Sequence, residues 1–537
     1  MSEEFTLDWS GPTIIDDEAF PQDTLVREKY ARFLTQFLIG QANGSTQEGI
    51  EGRRNYVLNL NSEWGSGKTY FLKRWSADLK KSFPTVYIDA WQQDYSDDPL
   101  MTVISSVINQ LREQAGIDVN KSDFAIPNKV VGLLKAAAPA LIKTFSKKYF
   151  GDEDFIDLSD VAADAVTHLL DEHEEKSQAI DDLKSSVAEW VSFVAKNPQS
   201  PKQYPAFIFI DELDRCRPSY AVEMLETIKH IFDIKGIVFV VATDTEQLQY
   251  AVKAIYGEGF DARLYLGRFF NSRFSLKAPD LKSFLEVHVD HTKLSGDFLD
   301  KKGIKILPPN PDGKVTLRNI SVILDAFKMQ PRTAIQIADR VIATLSNMPK
   351  DSKIDILMLT TLLSINEQDN ELFRNIISEN FKYKDGNDKD INLEKFFENR
   401  FKDNNETLQI AINIESYETL FGRYYEEIKR TLPQVPSKLN LIDYFKSPFL
   451  NNLGFQQTVF SLDSHSSKKK RTPIDEAIEK ILQNNNSLVI KDGSYGLAWC
   501  EAEYYRGEFN EIKKETYQDY VELASALDWI DGNSDDT

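Results

Sequence analysis

Two short stretches bring together residue types that could handle a nucleotide. In NSEWGSGKTYF, starting at Asn61, Gly65, Gly67, Lys68 and Thr69 stand in the order of a phosphate-binding loop. Glycines let the backbone approach phosphate oxygens closely and turn several N–H groups inward, and a helix start behind them favours negative charge. Lys68 can reach β- and γ-phosphates, and the Thr69 hydroxyl can ligate Mg2+. The run Ser62, Glu63, Trp64, Gly65, Ser66, Gly67, Lys68, Thr69 and Tyr70 is the expected nucleotide contact. One position departs from the pattern: Ser62 stands where such loops usually begin with glycine.

The second stretch, FIFIDELDR, ends an apolar run in carboxylates. Asp211 is expected to hold Mg2+ through water, and Glu212 to orient or activate an attacking water. Glu212 and Asp214 can also be read as an ordinary charged strand end or helix cap. Asp211 lies about 140 positions after Lys68, so a long segment must separate the two motifs.

These residues need elements to position them. YVLNLNS reads as a strand feeding the glycine loop, and TYFLKRWSADLKK as the helix behind it. TVYIDAW (85–91) is a second strand, and DDPLMTVISSVINQLREQ a helix with an acidic start. Residues 118–200 are charge-rich and helical in pattern, an insertion between the halves of a sheet domain. Strands return at AFIFIDE (206–212) and GIVFVVATD (236–244), and NSRFSL supplies an edge strand. Near-continuous apolar strands alternating with helices predict a parallel sheet covered on both faces, an α/β class. An amphipathic docking helix precedes it at 23–41.

The chain has 537 residues, room for roughly two to four domains. Its 63 Lys+Arg against 84 Asp+Glu leave a formal charge of −21, which repels nucleic-acid backbones on average. The charge therefore does not indicate a nucleic-acid partner, which would need a local basic groove. Only Cys216 and Cys500 occur, too few for a disulfide framework or a cysteine-rich metal cluster, and suited to a reducing cytoplasm. The first residues lack the basic start and apolar core of a signal peptide. No stretch reaches the roughly 18 apolar residues of a membrane span; the nearest, 130–142, is interrupted by Lys135.

EWGSGKT, IDAW after the next strand, FIFIDELDRCRP, and VVATD followed by YLGRFF resemble the KAP family of P-loop NTPases. The early DTLVREKYARFL looks like that family's lead-in helix, and the resemblance covers about residues 15–345. It implies a P-loop ATPase of the additional-strand type, with one strand between the two nucleotide motifs, acting on ATP with Mg2+. Many members carry paired membrane spans in the insertion, which are lacking here. By position, Thr243 matches a polar sensor of the γ-phosphate, or else simply caps its strand. Arg268 matches an arginine finger, within the chain or across an oligomer interface, with Arg273 as its rival. Arg332, in MQPRTAIQIADR, matches an element that couples nucleotide to a helical lid, or starts a helix and no more.

The expected organisation is an N-terminal part of the NTPase domain at 1–117, a helical insertion at 118–200 and the rest of the sheet at 201–278. A helical lid-like subdomain at 279–366 and a mainly helical C-terminal region at 367–537 follow. The expected function is an Mg2+-dependent cytoplasmic ATPase that switches or drives a protein effector or its own oligomer, with bacterial anti-phage defence as setting. The alternative is an ATP-binding oligomeric scaffold with little hydrolysis. NKSD (120–123) imitates a guanine-reading motif but precedes the acidic strand instead of following it. His288 and His291 are expected to be structural, and KKKR (468–471) to be a solvated loop.

Overall fold

The structure is a computed structural model. It describes residues 7–43, 54–95, 98–116, 173–230, 232–277, 280–378, 380–381, 383–384, 389–402, 406–410, 437–445, 512 and 514–526. The segments 120–123, 130–142 and 468–471 singled out above lie outside the described residues. The chain divides into two units, Met1–Ala278 and Pro279–Thr537.

The first unit opens with a hairpin, β1 (Thr13–Ile15) and β2 (Glu18–Phe20), turned at Asp16 and Asp17, which both take positive φ. That is the twist a two-residue hairpin needs. Helix α1 (Glu28–Asn43) follows, then β3 (Tyr56–Asn61), α2 (Lys68–Ser82), β4 (Thr85–Asp89), the short α3 (Ala90–Gln93) and α4 (Pro99–Ala115). After α5 (His173–Ala195) come β5 (Ala206–Asp211), a 3-10 turn at Leu213–Arg215, α6 (Pro218–His230), β6 (Ile237–Thr243), α7 (Thr245–Tyr256), α8 (Ala262–Leu266) and β7 (Ser272–Ser275).

Among the described residues, β3 to β7 form one parallel five-stranded sheet in the order β4-β5-β6-β3-β7. This is the expected α/β fold, and β6 separates the glycine-loop strand β3 from the acidic strand β5. Every residue of β5 and β6 is buried, as strands covered on both faces must be. Their period-two pleat divides the side chains cleanly. Phe207, Phe209, Val238 and Val240 join the core with α2, while Ile208, Ile210, Phe239 and Val241 join that of α4, α5 and α6. On the α2 side Trp75 is fully buried, 5.1 Å from the Phe209 ring, and its indole donates to Thr35 Oγ1 at 2.8 Å. Leu183, Val187, Trp190 and Val194 of α5, from the expected insertion, are buried in the second of these cores.

α4 begins at Asp98, whose side chain accepts from Leu100 N, and Pro99 needs no amide bond at that first turn. It ends at Gly116 with φ 67°, a left-handed cap suited to glycine.

The second unit is mainly helical. Leu285, Ile323, Leu345, Leu362, Phe396, Tyr444 and Tyr517 share one core, so residues on both sides of position 366 pack together. At its centre Asp355 is fully buried. Its Oδ1 accepts from Leu357 N and Met358 N, starting the helix Ile356–Gln368, and its Oδ2 accepts from Tyr444 Oη at 2.6 Å.

Candidate nucleotide site

The loop between β3 and α2 lies at the C-terminal end of the sheet, where open α/β folds place their ligands. Gly65 and Gly67 take φ of 73° and 80°, a left-handed backbone that lets consecutive amides face one point. Ser62 has no positive φ, so the glycine usual there is not required by backbone conformation. Ser62 is buried; its N donates to Thr243 O at 3.1 Å, and its hydroxyl meets the Ser66 hydroxyl. The Ser66 hydroxyl also donates to Glu63 O at 2.7 Å. These bonds close the loop on itself and tie its start to β6.

Lys68 is buried and donates to Ser62 O at 3.2 Å. Its ammonium lies 3.7 Å from Asp214 Oδ1, an oxygen that has no hydrogen-bond partner. Asp214 Oδ2 accepts from the indole of the half-exposed Trp64. Thr69 Oγ1 donates to Glu212 Oε1 at 2.9 Å, linking two residues 143 positions apart. The acidic motif and the glycine loop therefore meet at Lys68 and Thr69.

Asp211 is fully buried at the end of β5, and Tyr87 Oη of the neighbouring strand donates to its Oδ2 at 3.0 Å. Burial, with the Glu212 charge next, pushes its carboxyl up to about 7. The same burial and the Asp211 charge push the Tyr87 phenol up. Glu212 adopts φ 60°, uncommon for a residue with a side chain and of a kind that concentrates at functional sites. Its Oε2 pairs with Arg215 Nε. Burial raises the Glu212 carboxyl and Arg215 opposes that rise. The Arg215 guanidinium in turn lies 5.5 Å from the centre of the exposed Trp91 ring, in the IDAW motif.

The other expected residues divide by position. Thr243 is fully buried, and its hydroxyl accepts from Asn59 Nδ2 at 2.9 Å. Thr245 bonds Asn59 Oδ1 and Asn61 Oδ1 beside it, so these residues lock the ends of β3 and β6. Tyr70 turns towards the N-terminal segment, donating to Pro21 O at 2.8 Å and packing on Phe20 and Trp9. Glu63 is exposed. Arg268, just after α8, is exposed, as is Arg273 in the edge strand β7, where it pairs with Asn59 of β3. Arg332 belongs to the second unit, exposed in the first turn of the helix Pro331–Asn347. The His288 ring lies 4.5 Å from that of Phe284, tilted at 50° to it, and burial lowers its imidazole.

Sequence reasoning missed Arg27, Tyr87 and Arg215 and left Asp214 as a cap. Asp214 and Arg215 lie inside the quoted FIFIDELDR motif, so their nearness to Glu212 was available. Nothing local marks Arg27 or Tyr87.

The donor set suits a hard cation: the Thr69 hydroxyl and the carboxylates of Asp211 and Glu212 are all oxygen ligands. The unpartnered Asp214 oxygen adds negative charge beside Lys68. A glycine loop between strand and helix, facing carboxylates two strands away across β6, defines a P-loop NTPase. A family model described as the KAP family P-loop domain matches residues 38–350. The chain belongs to the KAP family of P-loop NTPases. It is also similar to a solved structure, the Aeropyrum pernix ORC2 protein in its ADP form. That similarity is at 13% identity over 76% of this chain and 83% of that chain, with a TM-score of 0.29. No curated protein matches the sequence. No helix among the described residues is long and apolar enough to cross a membrane.

Proposed function

We propose that this chain is an Mg2+-dependent ATPase whose nucleotide cycle switches a protein partner, with bacterial anti-phage defence as its setting. The observation that carries the reading is the meeting of Lys68 and Thr69 with Asp211, Glu212 and Asp214 at one end of the sheet. Amides of the glycine loop bind the phosphates, and Lys68 exchanges Asp214 for the β- and γ-phosphate oxygens. Thr69 and Asp211 would hold Mg2+, which when bound neutralises developing phosphate charge. Glu212 orients the water that attacks the γ-phosphorus in line with the departing ADP oxygen, and accepts its proton. A carboxyl raised by burial is better matched to that proton than an ordinary one. Each Glu212 oxygen holds one partner, Thr69 or Arg215, and keeps a further lone pair that can accept from the water.

Arg268 or Arg273 is the candidate finger for the γ-phosphate, from this chain or from a second copy. Thr243 is the candidate sensor, and Arg332 the candidate link to the helical region. Two cysteines in a chain of this size favour the cytoplasm. The test of partner control uses Glu212→Gln protein, purified from its host with Mg2+ and ATP, beside Lys68→Ala protein. A partner retained by Glu212→Gln with ATP, and lost without ATP or with Lys68→Ala, is the expected result. The same proteins retained in all three cases contradict the switch.

A further inference from the structure

Arg27 immediately precedes α1, outside the stretch that the family model matches. It is only 2% exposed, and its guanidinium reaches 40 residues along the chain to the glycine loop. Nη1 donates to Gly67 O at 3.1 Å and Nη2 to Ser66 O. We propose that Arg27 is the positioning residue that sets the phosphate-binding amides of the loop. The inference rests on the nucleotide-binding reading above.

In a planar trans peptide the C=O and N–H point in opposite directions. The carbonyl of Ser66 shares its plane with the amide of Gly67, and the carbonyl of Gly67 with the amide of Lys68. Holding both carbonyls on the Arg27 side turns both amides the other way, towards the cradle. One guanidinium can do this because its donors form a rigid fork, which an ammonium lacks. Bonds from a charged donor are also about twice as strong as neutral ones.

The surroundings are built around that fork. A Cβ on Gly67 would lie 3.3 Å from Arg27 Nη1, so the glycine gives the guanidinium its room as well as φ 80°. Val26, just before Arg27, takes φ 53°, which is costly for a β-branched residue and turns the chain at this point. The Asp23 charge favours the cation, and Asp23 Oδ2 accepts from Glu28 N at 2.8 Å. Burial disfavours the cation more than Asp23 favours it, and the two carbonyls give the buried guanidinium acceptors.

Titration calorimetry with Mg2+ and ATP on the full chain tests the assignment in wild type, Arg27→Met and Arg27→Lys. An amide turned away from the cradle loses a hydrogen bond to a charged phosphate, worth roughly ten- to a hundredfold in affinity. The expected result is that Arg27→Met binds roughly ten- to a hundredfold more weakly, and Arg27→Lys falls between it and wild type. Where turnover is measured, KM rises while kcat at saturating ATP stays within about threefold, because uniform binding has been weakened. Wild type failing to bind ATP overturns the nucleotide reading itself. Wild type binding, with both variants within about twofold of it, overturns the role of Arg27 alone. If Arg27→Met shows no cooperative melt, Arg27→Lys decides by the same criterion.

Discussion

Replacing Gly67 by alanine separates the two demands made on that residue, provided Gly116→Ala is measured beside it. Both glycines are left-handed, with φ of 80° and 67°. A side chain in that region costs about 1–2 kcal/mol. Reduced freedom of the unfolded chain returns about 0.4–1 kcal/mol, leaving a net loss of about 1 kcal/mol at either site. At Gly116 a new Cβ meets nothing within 4 Å, so that is the whole effect. At Gly67 the same methyl stands 3.3 Å from Arg27 Nη1, so the buried guanidinium must give by a few tenths of an ångström, which strains its bonds to the two carbonyls. Weakening of those bonds adds up to about 1.5–3 kcal/mol, the worth of one bond from a charged donor. Thermal unfolding of the first unit should drop by about 2–4 °C for Gly116→Ala, and by roughly three times as much for Gly67→Ala. ATP affinity, read by calorimetry, should be unchanged in Gly116→Ala and at least about tenfold weaker in Gly67→Ala. Equal melting shifts and equal affinities in the two variants would refute the coupling between loop and guanidinium.

Other expectations concern stability. The Asp355 carboxyl is pushed up to about 6 by burial, from 3.8. The folded chain therefore keeps this proton longer than the unfolded one, so the effect is absent below about pH 4 and grows as pH rises to about 6. Above that it is constant, costing about 3 kcal/mol. Asp355→Asn should remove this slope from the unfolding free energy of the second unit, measured in denaturant between pH 4 and pH 8; equal slopes in both proteins contradict it. Trp75→Ala deletes a fully buried indole packed on Phe209 and should destabilise the first unit by about 3–5 kcal/mol in a urea titration. A loss below about 1 kcal/mol would mean that this core is not packed as described.

The parts of the fold legible in the sequence are those whose signals are local. β3, the glycine loop and α2 follow one another within one stretch, and continuous apolar runs mark β5 and β6 as interior strands. Even the intervening strand β6 was readable, because the order of the family-like motifs implied it. Pairings between distant residues carry no such mark. Tyr87 and Asp211 meet because β4 and β5 are neighbours in register, which neither strand states alone. Asp355 gathers Tyr444 and Tyr517 from 89 and 162 positions away. Arg27 read only as one charge inside the amphipathic helix expected at 23–41, whereas α1 starts at Glu28; its acceptors are backbone carbonyls and leave no side-chain signature. Tyr70 is likewise tied by a bond that its position beside the loop does not announce, its hydroxyl donating to Pro21 O in the N-terminal segment.

On the proposed function Lys68 and Glu212 work on one bound ATP, the first to hold it and the second to turn it over. Phosphate release at saturating ATP and Mg2+, measured with bound nucleotide in wild type, Lys68→Ala and Glu212→Gln, tests this most directly. Turnover and binding are expected in wild type, neither in Lys68→Ala, and retained ATP with turnover reduced by about a hundredfold or more in Glu212→Gln. Turnover in Glu212→Gln equal to wild type would contradict it.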